Sequence, residues 1–201
     1  MFQVRFHGRG GQGVVTAAEL LASAAFSEGR HAQAFPSFGS ERMGAPVMSF
    51  CRIDHKPIRT REPVTEPDAL VIQDPTLLHQ ADVFAGLAPG GYVIINATRG
   101  LRQLGLDDFA ATHNADRLLT VPASSLAMAS LGRPLPGAPL LAALAALAGV
   151  VSLDAVLAAL SERFAGQVAA GNAAAAVAAF DYVLAERFDY DRAERTELTG
   201  A

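Results

Sequence analysis

A strand-like run, FQVRF (Phe2–Phe6), leads straight into Gly8, Arg9, Gly10, Gly11, Gln12 and Gly13, and the apolar segment VVTAAELLASAAFSEG follows. Gly8, Gly10 and Gly13 satisfy the spacing G-x-G-x-x-G. Between a strand and a helix, glycines let the backbone turn tightly and approach a ligand closely. The unpaired N–H groups at the start of the helix then face an anion, with the helix dipole behind them. Phosphate is the natural guest, and Arg9 adds a charge-assisted donor. The same residues also make a tight turn that holds nothing, and the strand before and helix after it are what favour a ligand.

The neighbouring residues narrow the choice of phosphate ligand. A P-loop needs Lys and then Ser or Thr after its last glycine, whereas Val14 and Val15 follow Gly13. A nicotinamide dinucleotide site wants an acidic residue about 20 positions on, at the end of the next strand, to hold the ribose hydroxyls. That region reads HAQAFPSF. The turn suits a pyrophosphate while the ribose clamp is missing, which counts against a free-standing dinucleotide-binding oxidoreductase. A second candidate is FGSERMGAP (Phe38–Pro46), with Ser40, Glu41 and Arg42 between two glycines. If HAQAF is a strand parallel to the first, this loop lies at the carboxyl ends of the strands beside the glycine turn, where open α/β sheets bind ligands. Arg42 can grip a phosphate or carboxylate, and Glu41 can orient Arg42 or pair across an interface. A solvated ion pair on a turn accounts for the same two residues, and both readings stay open.

Other polar groups take simpler roles. Asp74 reads as a helix cap, His7 as a satisfied histidine at a strand end, and Cys51 as a packed, inert thiol. No spacing of His, Asp, Glu and Cys suggests a metal site, and no Ser, His and Asp set is evident.

The elements that must position these residues alternate. Residues 31–35, Val47–Ile53, Ala69–Ile72, Tyr92–Thr98 and Leu118–Val121 read as strands, the last three as short buried runs. Asp74 and Pro75 open a helix between two of them. Asp54, His55 and Lys56 look like a turn leading to a return strand at Pro57–Arg61, so a hairpin is expected over 47–61. From Leu140 the chain is alanine-rich and helical, with Ser152 and Asn172 as N-caps of helices ending near Phe164 and Phe188. The alanines permit close helix packing; a face for a partner subunit is the other reading. Strands alternating with helices predict an α/β fold, a Rossmann-like three-layer domain with a mostly parallel sheet, a β-hairpin excursion and C-terminal alanine-rich helices. One domain over 1–190 and a frayed tail over 191–201 are expected.

Composition agrees. The 201 residues are 51% hydrophobic and 18% charged, which excludes disorder and sits on the apolar side for a free monomer. The net charge of −4 argues against a nucleic-acid partner. The single cysteine makes no internal disulfide and holds no iron–sulfur cluster, and it fits a reducing, cytoplasmic setting. The start MFQVRF has no basic and long apolar regions, so no signal peptide is expected. The longest apolar stretch, Ala138–Val151, is interrupted by Pro139 and Gly149 and reads as a core helix, so no membrane span is expected.

Five stretches together resemble one family. They are GRGGQGVVTAAELLA (Gly8–Ala22), FGSERMGAPVMSFCRID (Phe38–Asp54), KPI (Lys56–Ile58), EPDALVIQDPTLL (Glu66–Leu78) and GGYVIINAT (Gly90–Thr98). They resemble the gamma subunit, or gamma domain, of the 2-oxoacid:acceptor oxidoreductases, the pyruvate:ferredoxin oxidoreductase group. GGQGV followed about 25 residues later by a SERMGAPV-type stretch is far more specific than a glycine count. Ser40, where relatives often carry Pro, and the HGR lead-in depart from the pattern and leave the substrate open.

The resemblance implies a complex that oxidatively decarboxylates a 2-oxoacid and joins the acyl group to coenzyme A. It implies alpha, beta and delta-type partner subunits that carry thiamine diphosphate, Mg and iron–sulfur clusters, and ferredoxin or another electron acceptor. For this chain it implies a non-catalytic gamma role in coenzyme A binding and subunit packing. The candidate contacts are Gly8, Arg9, Gly10, Gly11, Gln12, Gly13, Ser40, Glu41 and Arg42. A purely structural subunit of the same complex is the alternative.

Overall fold

The computed structural model describes residues 1–37 and 43–199, and side chains as far as Phe188. Six strands form one mixed sheet: β1 (Phe2–Arg9), β2 (His31–Pro36), β3 (Pro46–Asp54), β4 (Ala69–Ile72), β5 (Tyr92–Asn96) and β6 (Leu118–Val121). Their spatial order is β2-β3-β1-β4-β5-β6. β1, β4, β5 and β6 run parallel, whereas β3 is antiparallel to both β1 and β2. The short runs ALVI and YVIIN are buried because sheet pairing and layers on both faces enclose them.

Antiparallel pairing is therefore present, but the expected hairpin over 47–61 is not. The chain turns after Asp54, and Pro57–Arg61 forms no strand. β3 instead pairs along its whole length with β1, from Phe2↔Ile53 to Arg9↔Pro46, and on its other edge with β2. Proline at position 57 withholds a backbone donor, and both edges of β3 are already taken.

One face of the sheet carries the helices α1 (Val14–Ser27), α4 (Gly137–Ala148), α5 (Leu153–Arg163) and α6 (Gly166–Thr199), with α3 (Ala123–Leu131) beside them. Their buried residues form one continuous core with the sheet. α1 buries Val14, Ala17, Ala18, Leu21, Ala24 and Ala25, the stripe expected of a helix with one covered side. α4 is buried from Ala138 to Leu147 and lies against α6, α5 and α1, where alanines let the helix axes approach. Ser152 caps α5 as expected, its Oγ accepting from the Ala155 N–H at 3.1 Å. The other face carries α2 (Asp107–Thr112) and short 3₁₀ turns over a smaller core of Leu70, Ile72, Val93 and Ile95.

Asn172 is not an N-cap. It lies within α6, buried, and its amide donates back to the Val168 carbonyl at 2.9 Å. Of the tail 191–201, residues 191–199 are helical as the end of α6, and 200 and 201 lie outside the described residues. The segment Gly166–Phe188 is long and apolar enough to cross a bilayer by length and composition, with a mean hydropathy of 1.5. Here its inner side, through Ala175, Ala176, Ala179 and Val183, packs on the helical core.

Candidate functional site

The turn at the end of β1 is built by contact at one glycine and by backbone sign at another. A Cβ on Gly8 would lie 2.5 Å from Val14 Cγ2 and 3.2 Å from Gln73 Cβ, so only glycine lets β1, β4 and the start of α1 meet there. Gly13 caps α1 in the left-handed region at φ 73°, which L side chains adopt at a cost. The first helical bond runs from the Ala17 N–H to the Gly13 carbonyl at 2.9 Å. This leaves the N–H groups of Val14, Val15 and Thr16 without an acceptor among the described residues.

The segment before β3 docks on the same turn. The Gly10 N–H donates to the Ala45 carbonyl at 2.9 Å, and the Gly44 N–H returns to the Gly10 carbonyl at 3.1 Å. The loop between β2 and β3 therefore ends at the carboxyl end of β1 and begins across β3, where the Ser37 N–H donates to the Met48 carbonyl at 2.9 Å. Ser40, Glu41 and Arg42 lie outside the described residues.

Arg9 turns away from the helix start. Its guanidinium donates to Asp74 Oδ2 at 3.1 Å, the Gly44 carbonyl at 3.1 Å, Thr76 Oγ1 at 2.7 Å and Gln80 Oε1 at 2.7 Å. Gln12 completes the clamp, donating to Asp74 Oδ2 at 2.9 Å and accepting from the Arg9 N–H at 2.8 Å. Asp74 also caps the 3₁₀ turn Pro75–His79 through the Thr76 N–H at 3.0 Å. Burial alone would raise its carboxyl, but the bonds from Thr76 and Gln12 and the nearby Arg9 charge hold it below its ordinary value. The crevice between the ends of β1 and β4, where the strand order reverses and doubly wound sheets usually bind ligands, is thus filled by the protein's own ion pair.

Open space lies on the other side of the turn. A cleft of about 480 Å³ is lined by Gly11, Gln12, Gly13 and Thr16 from the turn and α1, by Arg133 and Gly137 between and at the start of the next helices, and by Arg163, Phe164 and Asn172 near the α5–α6 junction. The lining contains two arginines and no carboxylate, although the chain's net charge is −4. Arg163 lies over the Phe164 ring at 5.5 Å. Beneath Gly137 sits Gln73, 1% exposed, whose two amide atoms have no partner among the described residues. The cleft can take an anionic ligand of nucleotide size.

The model of the family described as pyruvate ferredoxin/flavodoxin oxidoreductase matches residues 3–182. The chain belongs to that family. Within it, the common gamma subunit of the pyruvate/ketoisovalerate oxidoreductases of Thermococcus kodakarensis is 47% identical over 181 residues, 90% of this chain and 96% of the relative. Pyruvate oxidoreductase subunit PORC of Thermotoga maritima has a solved structure with a TM-score of 0.75 and 31% identity, covering 90% of this chain and 95% of that one. The 2-oxoglutarate:ferredoxin oxidoreductase of Magnetococcus marinus, solved with 2-oxoglutarate, coenzyme A and succinyl-CoA bound, shares the fold at a TM-score of 0.70 and 20% identity. It covers 92% of this chain and 30% of that longer one.

In this member of the pyruvate ferredoxin/flavodoxin oxidoreductase family, Gly11, Gln12 and Gly13 line the cleft, while Gly8, Arg9 and Gly10 shape the turn from behind. The ribose clamp is absent for a second reason besides composition. β3 stands between β1 and β2, so the strand following α1 ends one position further from the turn than in a dinucleotide fold. Arg133, Arg163 and Gln73 are additions that the sequence did not single out. Arg133 and Arg163 lie outside any motif, Gln73 lies within EPDALVIQDPTLL with nothing to single it out, and tertiary packing alone brings the three together.

Proposed function

We propose that this chain is the gamma subunit of a thiamine-diphosphate-dependent 2-oxoacid oxidoreductase complex, and that it holds coenzyme A at the amino end of α1. The observation that supports coenzyme A most is the cleft lined by two guanidinium groups and no carboxylate, opening onto the free N–H groups of the glycine turn. These N–H groups suit the pyrophosphate of coenzyme A, and Ser40, Glu41 and Arg42 stay candidate contacts on the sequence alone.

The 2-oxoacid is decarboxylated and oxidised on other chains, and thiamine diphosphate with Mg there supplies the carbon–carbon chemistry. Cys51, the only cysteine, is fully buried, and burial pushes its thiol up, so a cluster finds no ligand in it. The iron–sulfur clusters then belong to partner subunits of alpha, beta and delta type, which pass electrons to ferredoxin or another acceptor. This chain anchors the nucleotide end of coenzyme A so that its thiol reaches the acyl group.

Thr16→Glu tests the reading in the assembled enzyme. A carboxylate in the first turn of α1 favours the helix but repels an anion in the cleft. The apparent KM for coenzyme A is expected to rise about tenfold or more, with KM for the 2-oxoacid unmoved and Tm kept. An unchanged coenzyme A KM overturns the binding role and favours a purely structural subunit. Purification of the chain from its source with no larger partner subunits overturns the complex.

A further inference from the structure

We propose that Arg133 and Arg163 form a second anion subsite in the cleft, which recognises the 3′-phosphate of coenzyme A and distinguishes it from the dephosphorylated compound. The inference rests on the coenzyme A reading above and goes beyond it.

The cleft offers anion recognition from two separate parts of the fold. One is the backbone at Gly11–Thr16. The other is a pair of guanidinium groups, Arg133 just past the carboxyl end of α3 and Arg163 in the last turn of α5. Among the described residues neither has a carboxylate partner or a side-chain hydrogen bond. Arg9, by contrast, spends its donors inside the protein. Arginine's planar fork matches a phosphate monoester better than a point charge does.

Phe164 holds the Arg163 guanidinium over its ring and itself lines the cleft, so a flat apolar surface adjoins the charge. Coenzyme A carries a diphosphate and, beside a planar base, a single phosphate, and one cleft lining supplies backbone donors, two guanidinium groups and an aromatic ring. Both arginines also sit at helix carboxyl ends, where a cation offsets the dipole whether or not a ligand binds. The test separates the two roles.

The measurement compares apparent KM for coenzyme A and for 3′-dephospho-coenzyme A in the assembled enzyme, for the parent and for Arg133→Gln, Arg163→Gln and the double variant, with melting temperatures alongside. The parent is expected to favour coenzyme A. The double variant is expected to lose about tenfold or more for coenzyme A and little for the dephospho compound, so that the preference collapses. Equal weakening of both compounds, no change in either, or a fall in Tm with the preference intact overturns the subsite and leaves the arginines as helix-end charges. Thr16→Glu in the same assays separates this from failure of the underlying reading. If it leaves both compounds unaffected, coenzyme A does not use the cleft. If it weakens both while the arginine variants keep the preference, only the subsite fails.

Discussion

The guanidinium of Arg9 binds the glycine turn to Asp74, Gly44, Thr76 and Gln80. The sequence supplied its charge and its place in the turn, which suggested a ligand contact. Its direction depends on Asp74, 65 residues further on, and no local pattern reports that. Asp74 was legible as a cap because the Asp-Pro pair acts locally; its second role as counter-ion was not. His7 shows a similar division. It is buried, and Arg5 Nε donates to its Nε2 at 3.0 Å. Burial and the Arg5 charge lower its pKa to about 4. An unfolded histidine titrates near 6.5, so between these values the unfolded chain binds a proton that the folded chain does not. Stability is then full above about pH 6.5 and falls as pH drops towards 4. His7→Gln keeps an acceptor for Arg5 and removes this titration. Urea midpoints measured from pH 4 to 7 are expected to show a shallower slope for the variant; an unchanged slope means that His7 is not buried neutral.

At the level of elements, the runs ALVI and YVIIN were legible because a strand covered on both faces must be mostly apolar, whereas LLTV, read the same way, is an edge strand with Leu119 and Thr120 only half-buried. α1 was legible because glycines bracket its apolar stripe. The placement of β3 was not, since strand pairing is a long-range choice. VMSFCRI reads equally well beside its sequence neighbours or between β1 and β2. Asn172 misled for a different reason: it resembles a cap, yet Gly166 starts α6 a turn and a half earlier and the asparagine bonds back to Val168. Ser152 is a cap by geometry, and its backbone N–H also donates to Glu28 Oε1 at 2.8 Å, tying α5 to the end of α1. Ser152→Ala keeps the backbone N–H bond to Glu28 but loses the cap and the hydroxyl's interaction with that carboxylate, so a loss of about 1 kcal/mol is expected by urea denaturation. A loss below a few tenths would show that the cap bond contributes nothing.

For the whole molecule, the parallel half of the sheet, the glycine turn and the helical layer make an arginine-lined cleft, the proposed anion site, beside rather than inside the crevice where the strand order reverses. Insertion of β3 and the Arg9–Asp74 pair displace the site from the usual dinucleotide position. The family was readable from GGQGV and the SERMGAPV-type stretch, whereas the cleft's second wall was not, because Arg133 and Arg163 reach it only once α4 and α6 have packed. The most direct test is hydrogen–deuterium exchange on the assembled complex with and without coenzyme A. The account predicts protection of amides at Gly11–Leu20 and in the segments around Arg133 and Arg163, with the edge around His55 unchanged. Saturating coenzyme A that leaves exchange at Gly11–Leu20 unaltered would contradict it.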